Sequence, residues 1–198
     1  MNGLFEIHVS VCPIDILKFR LWALDNDVKA ISIIGGFEEL TFSKYTNGTH
    51  EKAYGKAISM ARNLSLNSIK VTKVRIEAIF SNKDAEIDAH AKSNPNTYFE
   101  YHVKYHVINS KDFYELNDIA VKFTDDHLDE GVYSFVGFNS FKKNVEPIIS
   151  LRVPSKFGID GSLEFKDKLI KVLKAKNFRT NEEIHKEYVF VDDDFSKL

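Results

Sequence analysis

Two histidines in this sequence stand in the same short context. Phe5-Glu6-Ile7-His8-Val9 near the start is matched by Phe99-Glu100-Tyr101-His102-Val103 in the second half. In an extended chain successive side chains alternate sides, so Glu6, His8 and Ser10 share one face and Phe5, Ile7, Val9 and Val11 the other. Glu100, His102 and Lys104 share a face in the same way, with His106 next in line. Imidazole titrates near neutrality and can give or take a proton, and a neighbouring carboxylate can orient it or hold its charge. One histidine from each copy, set on two sides of a shared cleft, could serve as general base and general acid on a phosphodiester. Ser10, Lys44, Lys104, Ser150 and Arg152 would then hold the anion, with Glu6 and Glu100 behind the imidazoles. The structural alternative is a solvated polar face on a one-sided sheet.

Two segments support an anion. "TFSKYTNGT" carries Ser43, Lys44 and Gly48 from a strand towards a helix, and "SLRVPSKFGIDGS" does the same with Ser150, Arg152, Ser155, Lys156, Gly158 and Gly161. Free N–H groups and the positive end of the dipole make a helix start attractive to an anion. Arg152 could grip a phosphate or carboxylate with two parallel hydrogen bonds. Neither segment has the Gly-x4-Gly-Lys-Ser/Thr spacing of a P-loop. A capped helix start with solvated charges is the alternative.

A metal is not expected, and no cofactor. His102 and His106 on one strand would lie about 13 Å apart, too far to share an ion, so a site would need residues from both copies. The one cysteine, Cys12, excludes a disulfide within the chain and a cysteine zinc site. The acidic runs Asp125-Asp126 and Asp192–Asp194 read as solvated ends of elements.

What positions these residues is an alternation of strands and helices. The 198 residues suit one compact domain or two small ones, and 43% hydrophobic residues with 16 Phe and 8 Tyr supply a core. A net charge of −2 argues against a dedicated duplex nucleic-acid binder. No apolar stretch approaches the roughly 20 residues of a membrane span, and no signal-peptide pattern opens the sequence. A soluble cytoplasmic protein is the expectation.

"LFEIHVSVC", "KAISII", "EELTFSKYT" and "KVTKVRIEAIF" read as strands. The helices between them carry apolar stripes, Ile14, Leu17, Leu21 and Leu24 in one, and Ala53, Ala57, Met60, Ala61 and Leu64 behind the N-cap Thr49 in the other. The second half repeats the order with "YFEYHVKYHVI", "VYSFVGF", "EPIISLRV" and "EEIHKEYVFVDDD" as strands. Its helices carry Phe113, Leu116, Ala120 and Phe123, then Phe165, Leu169, Val172 and Leu173. The expected fold is α+β, a tandem duplication of a ferredoxin-like β-α-β-β-α-β unit with antiparallel sheets and helices on one face. The repeats span 1–80 and 98–198, with 81–97 as a linker, and pack as one unit.

The order "FEIHVSV", "LTFSKYTNG", "VRIE", "YFEYHVK", "SLRVPSKFG" and "KEYVFVDDD" resembles a family of functionally uncharacterised microbial proteins, which implies a two-repeat unit and brings no chemistry. His8-Val9-Ser10 is similar to the His-x-Thr/Ser motif of the 2H phosphoesterases, whereas His102-Val103-Lys104 matches in its His only. That resemblance implies binding or hydrolysis of a phosphorylated small molecule or nucleotide, with His8 and His102 catalytic. The other expectation is a non-catalytic binding or dimerisation domain, a homo-oligomer being open in either case.

Overall fold

The computed structural model describes residues 1–35, 38–80, 84–105, 110–142 and 146–194. His106 lies outside the described residues. The elements run β1 (Asn2–Val11), α1 (Ile16–Asp25), β2 (Lys29–Gly35), β3 (Glu39–Thr49), α2 (His50–Leu66), β4 (Val71–Ile79), α3 (Ala85–Ser93), β5 (Tyr98–Tyr105), α4 (Ser110–Asp126), β6 (Tyr133–Asn139), β7 (Ile148–Pro154), α5 (Gly158–Ala175) and β8 (Thr180–Asp194). The chain divides into two units, residues 1–79 with the chain from Val189 onward, and residues 80–188. Among the described residues no helix is long and apolar enough to cross a membrane.

In the first unit the strands lie in the order β2-β3-β1-β4, each pair antiparallel. The alternation of β1 decides what each face holds. Phe5, Ile7 and Val9 are fully buried on one face, and Phe5 meets Phe190 edge-on with ring centroids 5.6 Å apart. Helix α2 buries Ala53, Ala57, Ala61 and Leu64, and its three small side chains allow close approach to β1, β3 and β4. Thr49 caps α2 by accepting a hydrogen bond from the Lys52 N–H at 3.3 Å.

Helix α1 is turned the other way from the sequence expectation. Its buried residues are Phe19, Trp22 and Ala23, and the stripe Ile14, Leu17, Leu21 and Leu24 faces solvent. The aromatics decide this. Phe19 and Trp22 stack at 6.5 Å, Trp22 lies 5.4 Å from Phe42, and its indole N–H donates to Asn63 Oδ1 at 2.6 Å. Two aromatic rings and a satisfied indole bury more surface to better effect than the leucines would.

In the second unit β6-β7-β5 are antiparallel neighbours and β8 lies on the other side of β5. Phe99, Tyr101, Val103 and Tyr105 are buried on one face of β5. Leu116, Ala120 and Phe123 of α4 are buried, as are Phe165, Leu169 and Leu173 of α5, whereas Val172 is exposed. Helix α3 is capped by Asp84, which accepts from the Ile87 N–H at 3.1 Å. It packs against α5, and Asp88 Oδ1 accepts from the Ile159 N–H at 2.7 Å. Gly158 has φ +64°, and a Cβ there would sit 2.7 Å from both Asp88 Oδ1 and Lys92 Cε, so this junction needs glycine.

The expected tandem duplication of a ferredoxin-like unit is corrected by these observations. The segment read as a linker holds α3 and is built into the second unit. The 15-residue β8 is shared, with Thr180–Tyr188 in the second unit and Val189–Asp194 in the first. Residues 98–198 are therefore not a self-contained copy of 1–80. The sequence echo at β1 and β5 is local to those strands, and α1 with 10 residues against α4 with 17 shows how far their surroundings differ.

The orientation of α1 gives a direct check by chemical denaturation in dilute solution. Phe19→Ala should cost about 3–5 kcal/mol, as for other buried aromatics, and Leu17→Ala less than about 0.5 kcal/mol, as at exposed positions. The reverse ranking would mean that α1 packs by its leucines.

Candidate functional site

The cross-strand register assembles the first cluster. Glu6 of β1 stands opposite Glu77 of β4, His8 opposite Arg75, and Ser10 opposite Lys73. On the β3 side the same residues face Tyr45, Ser43 and Thr41. Two carboxylates directly opposite each other repel, and here both are buried, Glu6 at 6% and Glu77 at 1% exposure. Cationic groups relieve this. His8 Nε2 lies 3.0 Å from Glu77 Oε2 and 3.6 Å from Glu6 Oε1, and Arg75 Nη1 lies 3.5 Å from Glu77 Oε1. Arg75 also reaches Glu39 at 3.8 Å and Asp192 at 3.4 Å, Lys73 reaches Asp192 at 2.7 Å, and Ser10 Oγ donates to Glu39.

The environment holds His8 as imidazolium. Burial by itself would lower its pKa, but the charge and hydrogen bond of Glu77, joined by the charge of Glu6, exceed that effect and the opposing push of Arg75. The result is a pKa raised to about 9. Burial likewise works to raise the Glu39 carboxyl, yet Arg75 and the Ser10 hydroxyl, with Lys73 and His8, hold it below its ordinary value.

The second unit has a related cluster with different partners. His102 Nε2 lies 3.0 Å from Glu187 Oε2 of β8 and 4.0 Å from Glu100 Oε1, and its Nδ1 is 2.8 Å from Ser150 Oγ across the β5–β7 pair. Arg152 Nε donates to Glu100 Oε1 at 3.2 Å, with its guanidinium 5.2 Å from the Tyr98 ring and 5.0 Å from the Phe135 ring. Lys104 shares this face opposite Ile148.

Strand alternation groups Glu6, His8 and Ser10 on one face and Glu100, His102 and Lys104 on another, and Ser150 and Arg152, expected in an anion-binding loop, stand on β7 opposite His102 and Glu100. Lys44 is not with them, because it stands opposite Ile7 and so belongs to the reverse face. Glu77 and Glu187 were missed as partners. The alternation Lys73-x-Arg75-x-Glu77 carried the signal for the first, but its register with β1 is not written in either strand alone. The solvated polar face, the alternative to a cleft, is not what these carboxylates form, since Glu6, Glu77, Glu100 and Glu187 are buried.

These partners overturn the phosphate reading. Each histidine sits among buried carboxylates, which repel an anion, and Arg152 is engaged with Glu100. At the start of α5 the Ile159 N–H is taken by Asp88, and Ser155 Oγ donates to the Asn94 carbonyl at 2.7 Å. A phosphorylated small molecule or nucleotide as ligand, and a 2H-phosphoesterase-like role for His8 and His102, are corrected accordingly.

What the first cluster can accept is a cation. One imidazole nitrogen and one oxygen each from Glu6 and Glu77 all lie within 4.8 Å of one another. Donors bound at about 2.0–2.2 Å to one ion lie roughly 3–3.5 Å apart for bond angles near 90–110°, and the His8 separations of 3.0 and 3.6 Å are of that size. All three donors come from β1 and β4 of one unit.

No family model matches the chain, and no curated protein does. Among solved structures it is similar to chlorite dismutase from Candidatus Nitrospira defluvii, with 9% identity over 95% of this chain and 91% of that one, at a TM-score of 0.33. A novel heme-binding protein from Thermus thermophilus gives 8% identity over 96% and 92%, also at 0.33. A TM-score of 0.33 is too low for either name to say anything about this chain.

The raised pKa of His8 makes stability depend on pH. Its folded value near 9 exceeds the ordinary 6.5, so its contribution is complete below 6.5 and is lost as pH rises through 9. Denaturation midpoints of the ion-free protein should fall relative to those of His8→Gln across that interval. Parallel profiles for the two proteins would show that His8 is not held charged.

Proposed function

We propose that the first unit binds a divalent transition-metal ion through His8, Glu6 and Glu77. The observation that carries this reading is the convergence of one imidazole nitrogen and two carboxylate oxygens within 4.8 Å in a buried setting. Two anionic oxygen donors and one nitrogen donor suit ions such as Mn²⁺, Fe²⁺ or Zn²⁺, which accept both types. Three protein donors leave an ion a position for water or another ligand, where it supplies Lewis acidity. The residues around the donors have matching tasks. Arg75 holds the second oxygen of Glu77, and Glu39 and Asp192 hold Arg75, which fixes how the carboxylate is presented. His8 must give up its proton to the solvent before it can serve as a donor, so binding and proton release are linked. We place the protein in the cytoplasm, a compartment that keeps a lone thiol such as Cys12 reduced.

Calorimetric titration of the ion-free protein with Zn²⁺ and Mn²⁺ tests this. The expected result is one equivalent bound, with apparent affinity rising about tenfold per pH unit below the His8 pKa because one proton leaves. His8→Ala and Glu77→Gln should lose more than the roughly 10–100-fold typical of an outer partner, and His102→Ala should bind as the parent does. Absence of binding in the parent, or unchanged binding in His8→Ala, would contradict the proposal.

A further inference from the structure

The stripe that α1 turns to solvent is a large apolar surface. Ile14, Leu17, Leu21 and Leu24 are 87%, 73%, 65% and 79% exposed. Ile14 stands in the short 3-10 turn Pro13–Asp15 that leads into α1, and the other three lie along the helix. Leu66 is 85% exposed and lies one turn beyond Asn63, the α2 residue that holds Trp22. Scattered exposed leucines are ordinary, but a contiguous row of them marks a contact surface.

The spacing of the row says what it fits. Steps of three, four and three residues are the a-d-a-d pattern of a coiled-coil seam, with Ile14 and Leu21 at a and Leu17 and Leu24 at d. Isoleucine at a with leucine at d, as at Ile14 and Leu17, suits a pair of parallel helices. The flanking charges agree. Arg20 falls at g and Asp25 at the following e, both exposed, which is the pair that meets across a parallel seam. An antiparallel seam would instead bring Arg20 towards Arg20 and Lys18 towards Lys18 of the other copy. A seam this short does not hold two free peptides together, but α1 is already folded against its own unit through Phe19 and Trp22, so association need not bear the cost of forming the helix.

We propose that this stripe is the interface of a homodimer, in which α1 packs in parallel against α1 of a second copy about a two-fold axis, with Arg20 of each facing Asp25 of the other. The stripe lies outside the His8 cluster of its own unit, and the dimer forms with or without a metal ion.

Sedimentation velocity of the full chain across a dilution series tests it. The expected result is a concentration-dependent dimer that Leu21→Glu converts to a monomer with an unchanged far-ultraviolet circular-dichroism spectrum. Arg20→Asp should weaken the dimer, and Arg20→Asp combined with Asp25→Arg should restore it. A parent that stays monomeric throughout overturns the proposal, as does a Leu21→Glu variant that stays dimeric, or a double exchange that restores nothing. A monomeric parent that co-sediments with phosphatidylcholine–phosphatidylglycerol vesicles overturns it in favour of a lipid surface.

Discussion

Glu6 and Glu77 face each other across β1 and β4, both out of water, and two facing carboxylates there repel unless positive charge or a proton lies between them. Breaking a buried ion pair by removing one partner costs about 3–5 kcal/mol, because a charge is left without compensation. The arrangement around these two carboxylates follows from that demand. His8 approaches from the adjacent β1 position, Arg75 from the adjacent β4 position, and Glu39 and Asp192 balance Arg75 in turn. A proton on His8 supplies the balancing charge when no ion is bound. In the proposed site a divalent ion would supply two charges in place of that proton.

The second unit meets a related demand with different chemistry. Glu100 is paired with Arg152, whose guanidinium lies against Tyr98 and Phe135, and His102 spans Ser150 and Glu187. An arginine cannot give up its charge, so the charge on Glu100 is balanced permanently. In the proposed ion-binding reading His8 exchanges its proton for an ion, which is why the two histidines, alike in sequence context, support different readings.

Strand alternation made a good part of the site legible. Reading every second residue of "FEIHVSV" and "YFEYHVK" is enough to gather Glu6, His8 and Ser10 on one face, and Glu100, His102 and Lys104 on another. It could not reveal that those faces are buried, since a charged strand face looks the same whether water or other charges cover it. Nor could it supply Glu77 or Glu187, whose positions opposite the histidines depend on register with a distant strand. Lys44 was assigned to the site as part of a loop motif, and the β1–β3 register, which sets it opposite Ile7, places it on the reverse face. In α1 two stripes competed for the core. Ile14, Leu17, Leu21 and Leu24 have the cleaner helical period, but Phe19 and Trp22 have the larger rings and a partner for the indole in Asn63. The phosphoesterase motif failed for a related reason, since His-x-Ser describes a spacing and not the charges that surround the imidazole.

The most direct measurement is the titration of the His8 imidazole by NMR in the ion-free protein, with ¹⁵N-labelled histidine. The account predicts an imidazolium that persists to a midpoint near 9. A midpoint at or below the ordinary 6.5 would mean that the two glutamates do not hold that ring, and would contradict the site as described here.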